Sequence, residues 1–248
     1  MANITQICGI HAVDTALRND PDNIQQIWVD SQRKNARLQK LLAGLRKAGL
    51  PIQSVTSEAL TAQINSTKHQ GIIAQYATTT SYNAEYLTKL LKDLSEPAFL
   101  LILDGITDPH NLGACLRSAE CAGVHAVIAP KDNSASLTPT ARKVASGAAE
   151  TLPFIQVTNL NRTLTQLKKA GVWLIGTSDK ASQTVYDTDL TGSLALVMGA
   201  EGKGLRRLTE ESCDIIAAIP MAGQVSSLNI SVATGVCLFE SVRQRQKA

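Results

Sequence analysis

From residue 97 onward the chain carries six short apolar runs: FLLIL (99–103), HAVIA (125–129), FIQV (154–157), VWLIGT (172–177), LALVMG (194–199) and IIAAIP (215–220). Stretches of helical character separate them. Runs with so little polar interruption belong to strands covered on both faces, whereas a sheet with one wet face would alternate apolar and polar residues. The pattern predicts an open α/β domain with a parallel sheet between two helical layers. In sheets of that kind ligands bind beyond the carboxyl ends of the strands.

Residues 1–76 have a different texture and predict a small mixed α/β unit. The expected elements are a helix near 9–18, a strand at 24–29 (IQQIWV), a basic helix at about 33–48, a strand at 52–55, a helix near 57–65 and a strand at 71–76 (GIIAQY). ATTTSYN (77–83) has no hydrophobic period and reads as a linker. A helix at about 83–94 follows, with Leu87, Leu90, Leu91 and Leu94 on one stripe. The expected division is therefore 1–76, a linker and leading helix at 77–96, and 97–248, in keeping with a length that suits one large domain or two unequal ones.

Composition removes several function classes. With 44% hydrophobic and 18% charged residues, the chain is neither disordered nor a coiled coil. No apolar run approaches ~18 residues, so no transmembrane helix and no membrane partner are expected. The opening MANITQICGIHAVDTALRND lacks the basic-then-apolar pattern of a secretory signal, so a soluble, cytoplasmic protein is expected. Five scattered cysteines without a C-x-x-C pair fit neither a disulfide framework nor a zinc site. Aromatics at 4% argue against a base-stacking sheet, so any nucleic-acid contact should rest on charge and shape.

Such a charge feature exists. Residues 31–50 hold six basic residues and no acidic one. Leu38, Leu41, Leu42 and Leu45 keep the spacing of a helical apolar face. At ~100° per residue, Arg33, Arg37, Lys40 and Lys47 occupy an arc of roughly 80° on the opposite side. The cluster reads either as a solvated face or as a nucleic-acid contact. Solubility does not require the absence of acids, which favours the contact.

Common cofactor loops are missing. No G-x-G-x-x-G follows the first strand of the α/β block, and GAEGKG (199–204) has neither that glycine order nor the Ser/Thr of a P-loop. Three strand-end stretches stand out instead. In DPHNLGACLRSAE, Asp108 and Pro109 start a helix, Asn111 lies in its first turn, and Arg117 follows ~9 Å further along the axis beside the small Gly113 and Ala114. Taken alone, Arg117 reads as an exposed arginine paired with Glu120. In VMGAEGKGL, a strand runs into a turn with one carboxylate, Glu201, and glycines that would let a ligand approach the backbone. In IPMAGQVSSLNISVATGVCLFE, a strand ends at Pro220 and a helix opens near Ser226–Ser227. That helix is apolar nearly all round (Leu228, Ile230, Val232, Ala233, Val236, Cys237, Leu238, Phe239), as a buried helix would be. Ser227 and Asn229, judged alone, are helix caps.

Together the three stretches resemble the three motifs of the SpoU family of RNA ribose 2′-O-methyltransferases, within the SPOUT superfamily. GIHAV (9–13) and HQGI (69–72) extend the resemblance over essentially the whole chain, closest to the bacterial members that methylate a guanosine ribose in the P loop of 23S rRNA. The resemblance implies a deep trefoil knot in the carboxy-terminal domain, S-adenosylmethionine bound by backbone near Gly199, Ile219 and Leu228, and an L30e-like amino-terminal RNA-binding domain. It further implies a homodimer and no metal. The family's functional residues fall on Asn111, Arg117, Glu201, Ser227 and Asn229, and an RNA-domain motif falls on His69 and Gln70, although His69 reads equally well as a capping or buried histidine. The resemblance implies that Arg117 acts on the ribose hydroxyl. A guanidinium is a donor, so its expected part is to orient the ribose and stabilise developing negative charge, with the other four residues fixing Arg117 and the loops. The alternatives are a member acting on another rRNA or tRNA nucleotide, or a catalytically silent RNA-binding or ribosome-assembly protein. The intact Arg117, Glu201 and Asn229 set argues against the silent one.

Overall fold

A computed structural model describes residues 3–19, 21–78, 82–202, 204–225 and 227–247. The chain opens with β1 (Asn3–Cys8), α1 (Ile10–Asn19), β2 (Ile24–Asp30), α2 (Ala36–Lys47), β3 (Ile52–Val55), α3 (Ser57–Ile64) and β4 (Ile72–Thr78). The strands form a sheet of order β1-β4-β2-β3, in which β4 runs antiparallel to both neighbours and β2 pairs in parallel with β3. Ile7, Val13, Ile27, Leu38, Leu45 and Ile72 meet in its core. α2 begins at Ala36, because Asn35 caps it by accepting from the N–H groups of Arg37 and Leu38. Arg33, expected inside the helix, precedes it. β1 carries no alternation to read: its two isoleucines are three residues apart and so face opposite ways, Ile7 inward and Ile4 to solvent. Only pairing with β4 makes it a strand.

The chain continues through α4 (Ala84–Asp93), β5 (Phe99–Asp104), α5 (Pro109–Cys121), β6 (Ala126–Pro130), α6 (Pro139–Ala145), α7 (Ala148–Thr151), β7 (Phe154–Val157), α8 (Leu160–Lys169), β8 (Trp173–Thr177), β9 (Gln183–Thr184), β10 (Leu194–Gly199), α9 (Arg207–Ser212), β11 (Ile215–Ala218) and α10 (Ile230–Arg245). The larger sheet has the order β7-β6-β5-β10-β8-β11-β9, and every pair in it is parallel. All of β5 and β6 is buried. The central position of β10, between β5 and β8, brings the loop after it against the loop after β5.

Two compact units result: residues 1–81 with 137–151, and residues 82–136 with 152–248. This differs from a division at 76 and 97. The leucine stripe of α4 packs into the core of the parallel sheet with Leu100, Ile102 and Val197, so the leading helix belongs to the second unit. α6 and α7 join the first unit, where they lie against β1 and α1. Of the expected linker, residues 79–81 lie outside the described residues.

The carboxy-terminal stretch departs from expectation in two ways. β11 stops at Ala218, and α10 starts at Ile230 with Asn229 as its cap, three residues after Ser227; Ser226 lies outside the described residues. α10 is also not buried all round. Ile230, Thr234, Cys237 and Leu238 face the core, while Val232 and Phe239 are half exposed.

Candidate active site

Three segments far apart in sequence meet at the carboxyl ends of β5 and β10. Asp108 caps α5 by accepting from the N–H of His110, and Pro109 occupies the first turn, which places Asn111 at the helix start. The Asn111 Nδ2 donates to Glu201 Oε1 at 3.0 Å. The Asn229 Nδ2 donates to the same oxygen at 2.7 Å and to Asn111 Oδ1 at 3.0 Å. Glu201 Oε1 also accepts from the N–H of Ile230 at 3.4 Å, at the start of α10. The carboxylate thus ties both asparagines together at a helix N-terminus, where negative charge is favoured. Asn229 Oδ1 in turn accepts from the N–H and hydroxyl of Ser231, so one residue serves as both cap and link.

Glu201 stands on a turn that closes on itself. Ala200 and Gly204 exchange two backbone hydrogen bonds of 2.9 Å. A Cβ at Gly199 would lie 2.2 Å from the Gly204 carbonyl carbon. Gly199 is therefore required by the chain's own turn, which leaves no room for a side chain. Gly202 and Gly204 have φ of +71° and +66°, the left-handed region that favours glycine.

Two cavities flank this turn. The larger, about 670 Å³, is lined by Gly199, Ile219, Ser227, Leu228, Met198 and Met221, with Thr177, Ser178, Asp179, Lys180 and Glu210 among its polar groups. The smaller, about 560 Å³, extends from Asp104 through Asp108 to Asn111, Asn133 and Arg206. Both share Ala200, Glu201, Gly204, Leu205 and Ile230.

A model of the SpoU rRNA methylase family matches residues 98–239, which span all of these loops. The chain belongs to the SpoU rRNA methylase family. A second model, described as the RNA 2′-O ribose methyltransferase substrate-binding family, matches residues 6–81. Among curated relatives, the 23S rRNA (guanosine-2'-O-)-methyltransferase RlmB of Yersinia pestis is 55% identical over 96% of this chain and 97% of its own. That of Pseudomonas putida is 50% identical over 99% of both. Among solved structures, the SpoU methyltransferase AviRb from Streptomyces viridochromogenes in complex with AdoMet superposes with a TM-score of 0.82 at 23% identity, over 99% of this chain and 92% of its own.

Of the SpoU residues named from the sequence, Asn111, Glu201 and Asn229 form the hydrogen-bonded triangle, and Ser227, Gly199, Ile219 and Leu228 line the larger cavity. Arg117 is not brought to them. It is exposed on α5, lines neither cavity and forms no ion pair with Glu120, and none of the other four residues hydrogen-bonds to it. The expectation that they fix Arg117 is not met within one chain.

In the first unit, Arg37 and Lys40 are exposed on α2, and neither they nor Arg33 form an ion pair among the described residues. The Arg33 stem crosses Gly71, where an added Cβ would meet its Cδ at 2.5 Å. His69 is structural, whereas Gln70 is exposed. His69 is 1% exposed, and its Nδ1 accepts from the N–H of Gly71 while Nε2 faces the Thr61 hydroxyl at 3.3 Å. Burial, followed by the nearby Arg33 charge, holds its pKa below the usual value. Gln70 accepts through Oε1 from the N–H of Ile10 at the start of α1. A buried ring cannot touch RNA, which corrects the reading of His69 as an RNA contact.

One feature escaped sequence reasoning. Asp104 ends β5 with its side chain fully buried, and its carboxylate accepts from the Arg206 N–H at 3.0 Å and pairs with Arg206 Nε at 3.2 Å. The available signals were a carboxylate closing an otherwise apolar run and an arginine just after the glycine turn. The cysteines offer no nucleophile here: burial pushes the thiols of Cys115 and Cys237 up to about 12. Among the described residues no group of His, Cys, Asp and Glu is placed to hold a metal ion.

Proposed function

We propose that this protein transfers a methyl group from S-adenosylmethionine to the ribose 2′-oxygen of a guanosine in 23S rRNA. The observation that carries the reading is the triangle of Asn111, Glu201 and Asn229, which joins the three SpoU motifs at one rim. Identity of 50–55% over nearly full length to RlmB enzymes supports the nucleotide and the RNA. The match of residues 6–81 to a substrate-binding family supports an L30e-like RNA-binding role for the first unit, with Arg33, Arg37 and Lys40 on phosphates. A 23S rRNA substrate also favours the cytoplasm as its place of work.

The larger cavity suits the cofactor chemically. Apolar walls from Met198, Ile219 and Leu228 fit an adenosyl group, and among the described lining residues the carboxylates of Asp179, Glu201 and Glu210 outnumber Lys180, which favours a cation. Bound there, S-adenosylmethionine supplies an electrophilic sulfonium methyl. Glu201 and the two asparagines hold the glycine turn and the start of α10 in fixed register at the cavity mouth. Ser227 adds a hydroxyl at its edge. Arg117, permanently charged, orients the ribose and offsets the negative charge that grows around the 2′-oxygen in the transition state.

The same reading carries a homodimer and the trefoil knot of the family. Val232 and Phe239 on α10, with Leu228, Met221 and Val225 in the loop before it, expose an apolar surface of the kind a second copy covers. A dimer would also give the unattached Arg117 a way to meet a triangle from the partner subunit.

The deciding experiment is transfer of labelled methyl from S-adenosylmethionine to undermodified 23S rRNA, with the product nucleotide mapped. One 2′-O-methylguanosine in the P loop is expected. Methylation of tRNA alone, or none, would refute the reading.

A further inference from the structure

The smaller cavity is separate from the one assigned above to the cofactor, and its chemistry is specific. Arg206 is held by the buried Asp104 in two ways: its backbone N–H donates to the carboxylate, and its guanidinium forms an ion pair with it at Nε. Its side chain is nonetheless 48% exposed, and among the described residues no other group pairs with its guanidinium. Gly105, at φ +90°, makes room for it: a Cβ there would come within 3.3 Å of Arg206 Nη2. The result is a preoriented planar fork facing a cavity beside Glu201, across the glycine turn from the cofactor cavity.

Charge decides what such a fork receives. Asp104, Asp108 and Glu201 line the same cavity against the one described cation, Arg206, so a phosphate would meet net negative charge. A neutral base presenting two adjacent acceptors would not. Guanine presents O6 and N7 side by side, the pair that an arginine fork matches. Adenine places its N6 donor where O6 stands, against an arginine N–H. We propose that this cavity receives the base of the methylated nucleotide and that Arg206 selects guanine through O6 and N7. The assignment rests on the guanosine 2′-O-methyltransferase reading above and adds to it the residue that chooses the base.

The test uses the full-length protein with S-adenosylmethionine and a ligated 23S rRNA fragment bearing guanosine or 7-deazaguanosine at the target position. The second base lacks N7 and keeps O6. The wild type should lose ~10-fold or more in kcat/KM on the 7-deaza RNA, the scale of one bidentate base contact. Arg206→Met should lose at least as much on the guanosine RNA and clearly less on the 7-deaza RNA, where only the O6 contact is left to lose. Arg206→Lys keeps a cation for Asp104 but not the fork, and should behave like Arg206→Met while binding S-adenosylmethionine normally. Equal rates of the wild type on the two RNAs would overturn the proposal without any variant, as would equal further losses on both RNAs in the arginine variants. A wild type inactive on the guanosine fragment would instead sink the methyltransferase reading beneath it.

Discussion

Removing the Glu201 carboxylate should loosen the whole rim, and the structure sets the scale. In Glu201→Ala the amides of Asn229 and Asn111 lose their acceptor at 2.7 and 3.0 Å, and the Ile230 N–H loses a carboxylate at 3.4 Å. Glu201 is exposed, so water replaces part of each bond and the losses fall at the low end for bonds to a charged group. With the helix-terminus contribution included, the cost is about 2 kcal/mol. That corresponds to ~4–8 °C in Tm for a chain of this size. Glu201→Gln keeps an acceptor oxygen and should cost under ~1 kcal/mol. Urea unfolding of Glu201→Ala, Asn229→Ala and the double variant should give a coupling of about 1 kcal/mol, since the two side chains share one bond. Strict additivity, or a Glu201→Ala as stable as the wild type, would refute the view that this triangle holds the three loops together.

Arg117→Ala should fold and bind S-adenosylmethionine like the wild type, because no neighbour depends on it, yet lose at least ~100-fold in single-turnover methylation; Arg117→Lys should not restore the rate. Reversing Arg37 and Lys40 to Glu should weaken rRNA binding and flatten its salt dependence by roughly 0.7–0.9 per lost phosphate contact, leaving cofactor affinity unchanged by calorimetry. Glu240 accepts from Arg243 and Gln244, and the Arg243 bonds above all hold its pKa down at about 2, against 4.5 for an ordinary glutamate. Its contribution is thus fully present above pH ~4.5 and lost between there and about pH 2, so Glu240→Gln should flatten the acid limb of a stability profile over that window.

The parallel sheet was readable because burial on both faces leaves its trace in composition: β5 is buried at every one of its six positions, and its sequence is apolar until Asp104. The triangle was not readable from local pattern. Asn229 does cap α10, as a local reading holds, and only the 118-residue jump to Asn111 reveals its second task. Motif resemblance singled out these residues without showing what each touches. It also placed His69 in an RNA-domain motif, and of the two readings left open there, the contacts to Thr61 and Gly71 favour the buried histidine. Gly199 carries a local constraint that its motif did not show: a Cβ there would collide with Gly204 of the same turn. β1 had to wait for its partner strand.

The placement of residues 137–151 with the amino-terminal sheet has a practical consequence for anyone cutting or grafting this protein. The backbone passes from one unit to the other three times, so no single break point yields two intact modules. A clone ending at residue 81 would strip α6 from β1 and α7 from α1, leaving apolar faces wet and the product prone to aggregate. A chimaera that borrows the amino-terminal unit must take both pieces. Within the second piece, α6 and α7 are joined by the Arg142–Glu150 ion pair, whose side chains are 4% and 1% exposed.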